Sequence, residues 1–200
     1  MSGTFPSTPA PSSIEVQSIE PTFTSVANNL RRQVRSRGGQ RWLFKVTFPP
    51  LSRADLASIY AFSVSQKGQY ETFNWVPTTI GTTRGSSSET PVVNGALAAG
   101  VTAASVDGLT ASTSNILRSG DFIKFSGHSK VYMVTADMTS GGSGTATLTF
   151  APELEAAVAD NETITISSVP FQVAFASDNR QFNTDASGYY AYEIDLIEVP

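Results

Sequence analysis

The clearest alternation of apolar and polar side chains in this sequence is found in Gln40-Arg41-Trp42-Leu43-Phe44-Lys45-Val46-Thr47-Phe48. Every second side chain from Trp42 to Phe48 is aromatic or β-branched, and these residues share one face of an extended chain. Such a period of two predicts a strand with one buried face. The strand ends at Pro49-Pro50, because proline cannot donate to a sheet.

Working outward, the flanking residues predict one helix and further strands of the same style. Ser52 is placed as a helix N-cap with Asp55 three residues on, the helix covers residues 53–66, and Gly68 ends it in a left-handed conformation. Strands are expected near Val16 and Phe23, at 70–76 and 171–175, and over 189–199. In the last of these, Tyr190, Tyr192, Ile194 and Leu196 share one face.

The composition changes at residue 81, where a stretch rich in Gly, Ser and Thr begins. Short strand candidates separated by turn residues follow at 102–107, 121–126, 130–135, 144–150 and 162–167. Strands at such spacing are typical of a small barrel or sandwich. The fold class predicted is therefore mainly β: an antiparallel, β-sandwich-like domain with one packed helix, and a small β-barrel inserted into it. The boundaries predicted are a flexible N-terminal arm at 1–13, a first domain at 14–85 and 168–200, and the inserted barrel at 86–167.

The side-chain inventory excludes several kinds of chemistry. The 200 residues contain no Cys and a single His, His128, so disulfides, thiolate metal sites and a Cys nucleophile are excluded. A Ser triad would need His128, which is predicted to lie in a turn between two strands. Glu193 and Asp195 share a strand face and leave a carboxylate hydrolase open as an alternative, although a solvated strand face explains the same alternation. We expect no enzyme activity, no catalytic residue, no metal and no cofactor.

Charge is unevenly distributed along the chain. Residues 1–67 carry eight basic and three acidic residues, whereas residues 68–200 carry five basic and fourteen acidic ones. The basic side chains cluster at Arg31, Arg32, Arg35, Arg37 and Arg41. Guanidinium groups bind phosphate or form ion pairs at subunit interfaces, and a solvated basic loop is the third interpretation. Because the remainder of the chain is acidic, a protein–protein role is favoured over a nucleic-acid site.

Three segments together resemble the tail-tip or baseplate structural proteins of bacteriophages, in particular distal tail and tail-hub ring proteins. They are the stretch Arg32 to Arg53, the helix running into Gln66-Lys67-Gly68-Gln69-Tyr70-Glu71-Thr72-Phe73, and the inserted domain from Leu117 to Leu154. The resemblance implies a homo-oligomeric ring, often hexameric, that joins the tail tube to the hub or receptor-binding apparatus. It implies residence in the virion tail after assembly in the host cytoplasm.

The partners implied are other copies of the chain, the tube and hub proteins, and fibre or receptor-binding proteins; no nucleic-acid site and no membrane are expected. Under this interpretation the five arginines are the candidate oligomer interface. A carbohydrate- or receptor-binding β-module of a tail is the main alternative, and it requires an exposed aromatic platform. A capsid-decorating protein is a further alternative.

Overall fold

The computed structural model describes residues 3–86 and 89–200, and the chain separates into two compact units. The first, which we call the sheet unit, comprises Thr8–Thr72 and Ala174–Val199. The second, the barrel unit, comprises Phe73–Val173 with Pro200 and the described part of Met1–Ser7. The boundaries drawn from the sequence, including the flexibility of the arm at 1–13, stay predictions.

The described residues form strands that pair antiparallel, and one helix, which confirms the predicted mainly-β class with a nearly closed barrel-like sheet. In chain order the elements are β1 (Ser13–Ile19), β2 (Thr22–Val26), β3 (Arg32–Ser36), β4 (Arg41–Thr47), α1 (Arg53–Ser65), β5 (Phe73–Trp75), β6 (Val92–Val93), β7 (Ala103–Asp107), β8 (Phe122–Phe125), β9 (Tyr132–Val134), β10 (Ala146–Ala151), β11 (Ile164–Thr165), β12 (Phe171–Phe175), β13 (Phe182–Thr184) and β14 (Tyr190–Glu198). The strands β3, β6 and β13 were not predicted from the sequence. Among the described residues, no helix is long and apolar enough to cross a membrane.

The sheet unit is built around β4, which lies between β1 and β14. The register places Phe44 opposite Leu196 and Val46 opposite Ile194, and these side chains are buried on the inner face of the sheet. The alternation that predicted β4 and β14 therefore gives the correct inward face. Glu198 continues the inward face of β14 and is also buried, and its carboxylate accepts a hydrogen bond from the Trp42 N–H at 3.2 Å.

Helix α1 covers the inner face of this sheet. It begins as predicted, because the Ser52 hydroxyl accepts a hydrogen bond from the Asp55 N–H and donates one to the Asp55 carboxylate. Leu56 and Ile59 are buried, and the Tyr192 hydroxyl donates to Ser63 Oγ at 2.9 Å. These contacts fix the helix against β14. Gly68 adopts the predicted positive φ, at 70°, but the helix ends earlier, at Ser65, and Lys67 with a φ of 56° is the first left-handed residue after it.

The barrel unit contains a six-stranded sheet in the order β11-β8-β9-β10-β7-β6. Its two edge strands also meet, since Val92 and Thr163 form a bridge and the Ile164 N–H donates to the Pro91 carbonyl at 2.9 Å. The sheet therefore nearly closes on itself around a core that includes Phe125, Tyr132 and Phe150. Closure removes the exposed edges that would otherwise pair with other chains.

The segment that precedes the barrel strands is fastened to the barrel by a buried carboxylate. Asp121, which is 2% exposed, accepts hydrogen bonds from the Thr83 hydroxyl at 2.7 Å and the Arg84 N–H at 3.0 Å. It also accepts from the Arg118 N–H at 2.9 Å. Gly85 follows against the backbone of Ile116, where any side chain would collide with the Ile116 carbonyl. Residues 83–85 are therefore held against the barrel by these contacts.

Residues 3–5 of the predicted arm lie along β5. The Asn74 N–H donates to the Gly3 carbonyl at 2.9 Å, and the Phe5 N–H donates to the Asn74 carbonyl at 2.8 Å. Phe5 is buried, with its ring centroid 6.0 Å from that of Phe73. On the other side of β5, Trp75 pairs with Phe171 of β12. An aromatic anchor thus attaches this part of the arm to the barrel unit.

Candidate functional site

The structure places four of the five candidate arginines on one hairpin, formed by β2, β3 and the turn between them (residues 22–36), and its base. Arg32 and Arg35 lie on β3, Arg31 lies in the turn, and Arg37 follows β3. Arg41 lies apart from them, at the start of β4 and opposite Ile19 of β1. All five side chains are exposed. The oligomer interface assigned to them from the sequence stays a prediction.

Both faces of the hairpin are exposed to solvent. All ten residues of β2 and β3 are exposed, including Phe23 at 60%, Val26 at 59% and Val34 at 49%. An isolated two-stranded hairpin is at best marginally stable in water, and clustered exposed apolar side chains mark interaction surfaces. The hairpin therefore has the composition of a docking element.

The two faces of the hairpin carry different side chains. Phe23 pairs with Arg35 across the strands, and the guanidinium of Arg37 lies 4.6 Å from the centre of the Phe23 ring. We call this the guanidinium face. The opposite face carries Arg32 beside Val26 and Val34. An arginine stacked on an aromatic ring keeps its outward N–H groups free to bind an acceptor.

The tip of the hairpin is an ordered turn. The Leu30 N–H donates to the Ala27 carbonyl at 2.8 Å, and the Arg31 N–H donates to the Asn29 side chain at 3.2 Å. Leu30 adopts a positive φ of 63° and is 85% exposed. A branched apolar residue in this conformation is uncommon, and here it presents its side chain to solvent. The tip extends the apolar part of the hairpin surface.

The outer face of the sheet, opposite α1, carries a row of alternating charges. The register places Lys45 of β4 between Glu15 of β1 and Asp195 of β14. Lys45 Nζ binds the Glu193 carboxylate at 2.8 Å. This hydrogen bond and the charge of Glu193, with smaller contributions from Asp195 and Glu15, raise the pKa of Lys45. With three carboxylates around one ammonium group, the part of the outer face around Lys45 has an excess of negative charge, and we call it the acidic outer face. Arg41 lies on the same face of β4, at its start and opposite Ile19.

A polar cleft of about 440 Å³ adjoins the acidic outer face along β14. Its lining includes Glu193 and Asp195 together with the amide side chains of Asn179, Gln181 and Asn183. Carboxylate and amide oxygens are the acceptors that guanidinium groups bind. The cleft therefore offers acceptors to an arginine side chain from another molecule, beside the chain's own Arg180, which also lines it.

Arg180, which lines the cleft, was not singled out from the sequence. Its side chain is bound by neighbouring groups of the sheet unit. Its guanidinium donates to the carbonyls of Ser177 and Asn179, both at 2.6 Å, and lies 3.7 Å from the centre of the Phe175 ring. Burial lowers its pKa, and nearby Tyr192 and Asp178 oppose this effect. Nothing local marks this residue, since its partners are carbonyl groups that any loop offers. Arg180 thus has a structural role in the 177–180 loop.

The carboxylates considered for hydrolysis lie on the acidic outer face. Glu193 is half exposed, with its charge paired to Lys45 and the Thr47 hydroxyl 3.4 Å away. This is the environment of a solvated ion pair on an exposed strand face. His128 lies in the turn after β8 as predicted, with Nδ1 2.9 Å from the Tyr132 hydroxyl. Within residues 3–86 and 89–200, no cluster of His, Asp and Glu could hold a metal ion.

Carboxylates of the barrel unit largely hold its turns together. Besides Asp121, four of them accept a backbone N–H: Glu89 from Thr110 at 2.9 Å, Asp137 from Ser119 at 2.8 Å, Asp160 from Gly95 at 2.7 Å and Glu162 from Gly127 at 2.6 Å. Such bonds explain why acidic residues recur in this part of the sequence. Five of the fourteen acidic residues of 68–200 thus have a structural role in the barrel unit.

Comparison with known protein families gives a match over part of the chain. Residues 80–169 match the family described as "Distal tail protein pb9, B domain". No curated protein matches the chain. The family match covers the barrel and confirms the resemblance to phage distal tail proteins. It supports a structural role in a phage tail, in contact with other tail components of the virion.

Proposed function

We propose that this protein assembles into a ring of identical subunits that joins the tail tube to the hub or receptor-binding apparatus of a phage tail. In this proposal residues 14–85 and 168–200 form the ring domain, residues 86–167 form the inserted barrel, and residues 1–13 form an arm. A hexamer assembled in the host cytoplasm, with tube, hub and fibre proteins as neighbours, is the arrangement that the family resemblance suggests.

The observation that carries the proposal is the exposed hairpin. Its apolar side chains Phe23, Val26, Leu30 and Val34 are all about half exposed or more. Buried apolar area stabilises a protein by about 25 cal/mol per Å², so covering these side chains favours association. The surrounding arginines make the orientation of such a contact specific, because guanidinium groups form ion pairs of defined geometry.

The barrel offers no comparable support for carbohydrate binding. The aromatic side chains of residues 89–169 are Phe122, Phe125, Tyr132 and Phe150, and all are buried. A sugar-binding platform needs exposed aromatic rings. The barrel is better interpreted as a packed module that binds other proteins through its loops. We propose no enzymatic step for either unit.

Charge reversal within the hairpin tests the assembly proposal. Changing Arg31, Arg32 and Arg35 together to Glu should dissociate the oligomer, because the basic surface becomes acidic while all three positions are solvent-exposed. Light scattering measures the mass, and far-UV circular dichroism serves as the folding control. An oligomer of unchanged mass in a well-folded variant would contradict the proposed role of the hairpin.

A further inference from the structure

We infer that the guanidinium face of the hairpin docks on the acidic outer face of a second copy of this chain. This inference rests on the proposed self-assembly and deepens it, since it names the surface that receives the hairpin. Two properties indicate that a second copy of this chain binds the hairpin. The two surfaces carry opposite charges, and a polar cleft adjoins the acidic outer face along β14.

The donor surface is a preformed pair of guanidinium groups around an aromatic ring. Arg35 lies opposite Phe23 in the strand register, and Arg37 stacks on the Phe23 ring at 4.6 Å. Stacking restricts the side chain before it binds, which lowers the entropy lost on association. Aromatic residues and arginine are also the types most enriched at the centres of protein interfaces.

The acceptor surface carries the opposite charge. Glu15 and Asp195 flank Lys45, and Glu193 binds it, which leaves an excess of carboxylate. Among the residues that the structure describes, the ion pair of Lys45 is with Glu193, while Asp195 lines the cleft of about 440 Å³ beside β14. A carboxylate at the edge of a polar cleft can bind a guanidinium group through two parallel hydrogen bonds.

The two surfaces lie on different parts of the sheet unit, and this determines the symmetry of the contact. The hairpin is formed by β2 and β3, whereas the acidic outer face is formed by β1, β4 and β14. A contact between two different surfaces is head-to-tail, and repetition of such a contact produces a closed ring or a filament. A twofold dimer would instead place the same surface on both sides.

Single charge reversals on the full-length chain test the docking. Arg35→Glu and Asp195→Lys should each weaken self-association about tenfold or more, because close charge pairs across interfaces are strongly coupled. Arg53→Glu, at an exposed position at the start of α1, is the matched control for Arg35→Glu, and Glu155→Lys, at an exposed position of the barrel unit, is the matched control for Asp195→Lys. Analytical ultracentrifugation measures the dissociation constants. If a reversed variant folds poorly, Arg35→Gln and Asp195→Asn test the effect of removing the charge.

Mixing the two reversed variants gives the decisive result. Each variant alone should remain dissociated, since positions 35 and 195, which meet in the proposed contact, then carry charges of the same sign. An equimolar mixture of Arg35→Glu and Asp195→Lys chains should assemble, because every contact between unlike chains regains opposite charges. Mixtures that stay dissociated, or controls as disruptive as the test variants, would overturn the inference. A wild-type chain that never associates would overturn the proposed function as well. An oligomer whose dissociation constant is unchanged by both Arg35→Glu and Asp195→Lys would refute the docking alone.

Discussion

At the scale of single residues, Asp121 shows how one buried carboxylate fastens two distant segments. Burial alone would raise its pKa, but hydrogen bonds from Thr83, Arg118 and Arg84 outweigh burial and hold the pKa below the ordinary value of 3.8. Arg84 also forms an ion pair with it, with Nε 3.4 Å from the carboxylate. The ionised form is therefore the one that the folded barrel stabilises.

Replacement of Asp121 by Asn should destabilise the barrel by about 2 kcal/mol or more, because the amide nitrogen cannot accept from the N–H and O–H donors that now surround it. Asp137→Asn is the control, since Asp137 is exposed and accepts one backbone N–H, from Ser119. Urea denaturation at neutral pH measures both. An equal loss of unfolding free energy in the two variants would show that the hydrogen bonds around Asp121 stabilise the barrel no more than the single one at Asp137.

The same residue gives a pH dependence with a definite sign. Because the folded pKa is depressed, the stabilisation is fully present above the unfolded value and is lost as the pH falls through the folded value. The difference in stability between the wild-type chain and Asp121→Asn should therefore shrink below about pH 4. A difference that stayed constant down to pH 2 would contradict this assignment.

Some residue-scale features could be predicted from the sequence, and others could not. The Ser52 cap and the inward face of β4 were predictable because their signals lie within a few neighbouring residues. Asp121 was not, since its partner Thr83 is 38 positions away and nothing local distinguishes it from other turn aspartates. Glu198 was missed because a carboxylate at an inward strand position is unusual.

At the scale of elements, β3 explains why part of the fold escaped prediction. Strands are recognised by an apolar side chain at every second position, a pattern that arises when one face is buried. In Arg32–Ser36 both faces are exposed, so no such pattern exists. The strand is formed by pairing with β2, and its arginines were visible in the sequence only as a charge cluster. The edge strand β6, with two residues, is too short for any period to show.

Hydrogen exchange tests the status of the hairpin as an element. In the dissociated subunit the backbone N–H groups of β2 and β3 should exchange faster than those of β4, because exposed hairpins open locally at low free-energy cost. Assembly should slow exchange in the hairpin and on β14, and leave β8 and β9 of the barrel unchanged. Mass spectrometry at low and high protein concentration provides the measurement. Hairpin protection that is already high in the dissociated subunit would contradict the account.

At the scale of the whole molecule, the charge distribution has two separate explanations. The barrel carboxylates stabilise turns by accepting backbone N–H groups, whereas the basic hairpin and the acidic outer face both lie in the sheet unit. The sequence alone suggested that the acidic remainder was available to the arginines as a whole. In the proposed docking the acceptor is the smaller set Glu15, Glu193 and Asp195, and these residues form one surface only when β1, β4 and β14 are paired.

Self-assembly into a ring is the central claim, and the mass of the pure chain tests it most directly. Native mass spectrometry at low salt, supported by negative-stain images, should show a closed ring whose mass is a whole multiple of the 21.2 kDa subunit. Raising the salt concentration should shift the population towards the monomer, since exposed charges are screened. A mass of a single subunit at all protein and salt concentrations, with no ring in the images, would contradict the account.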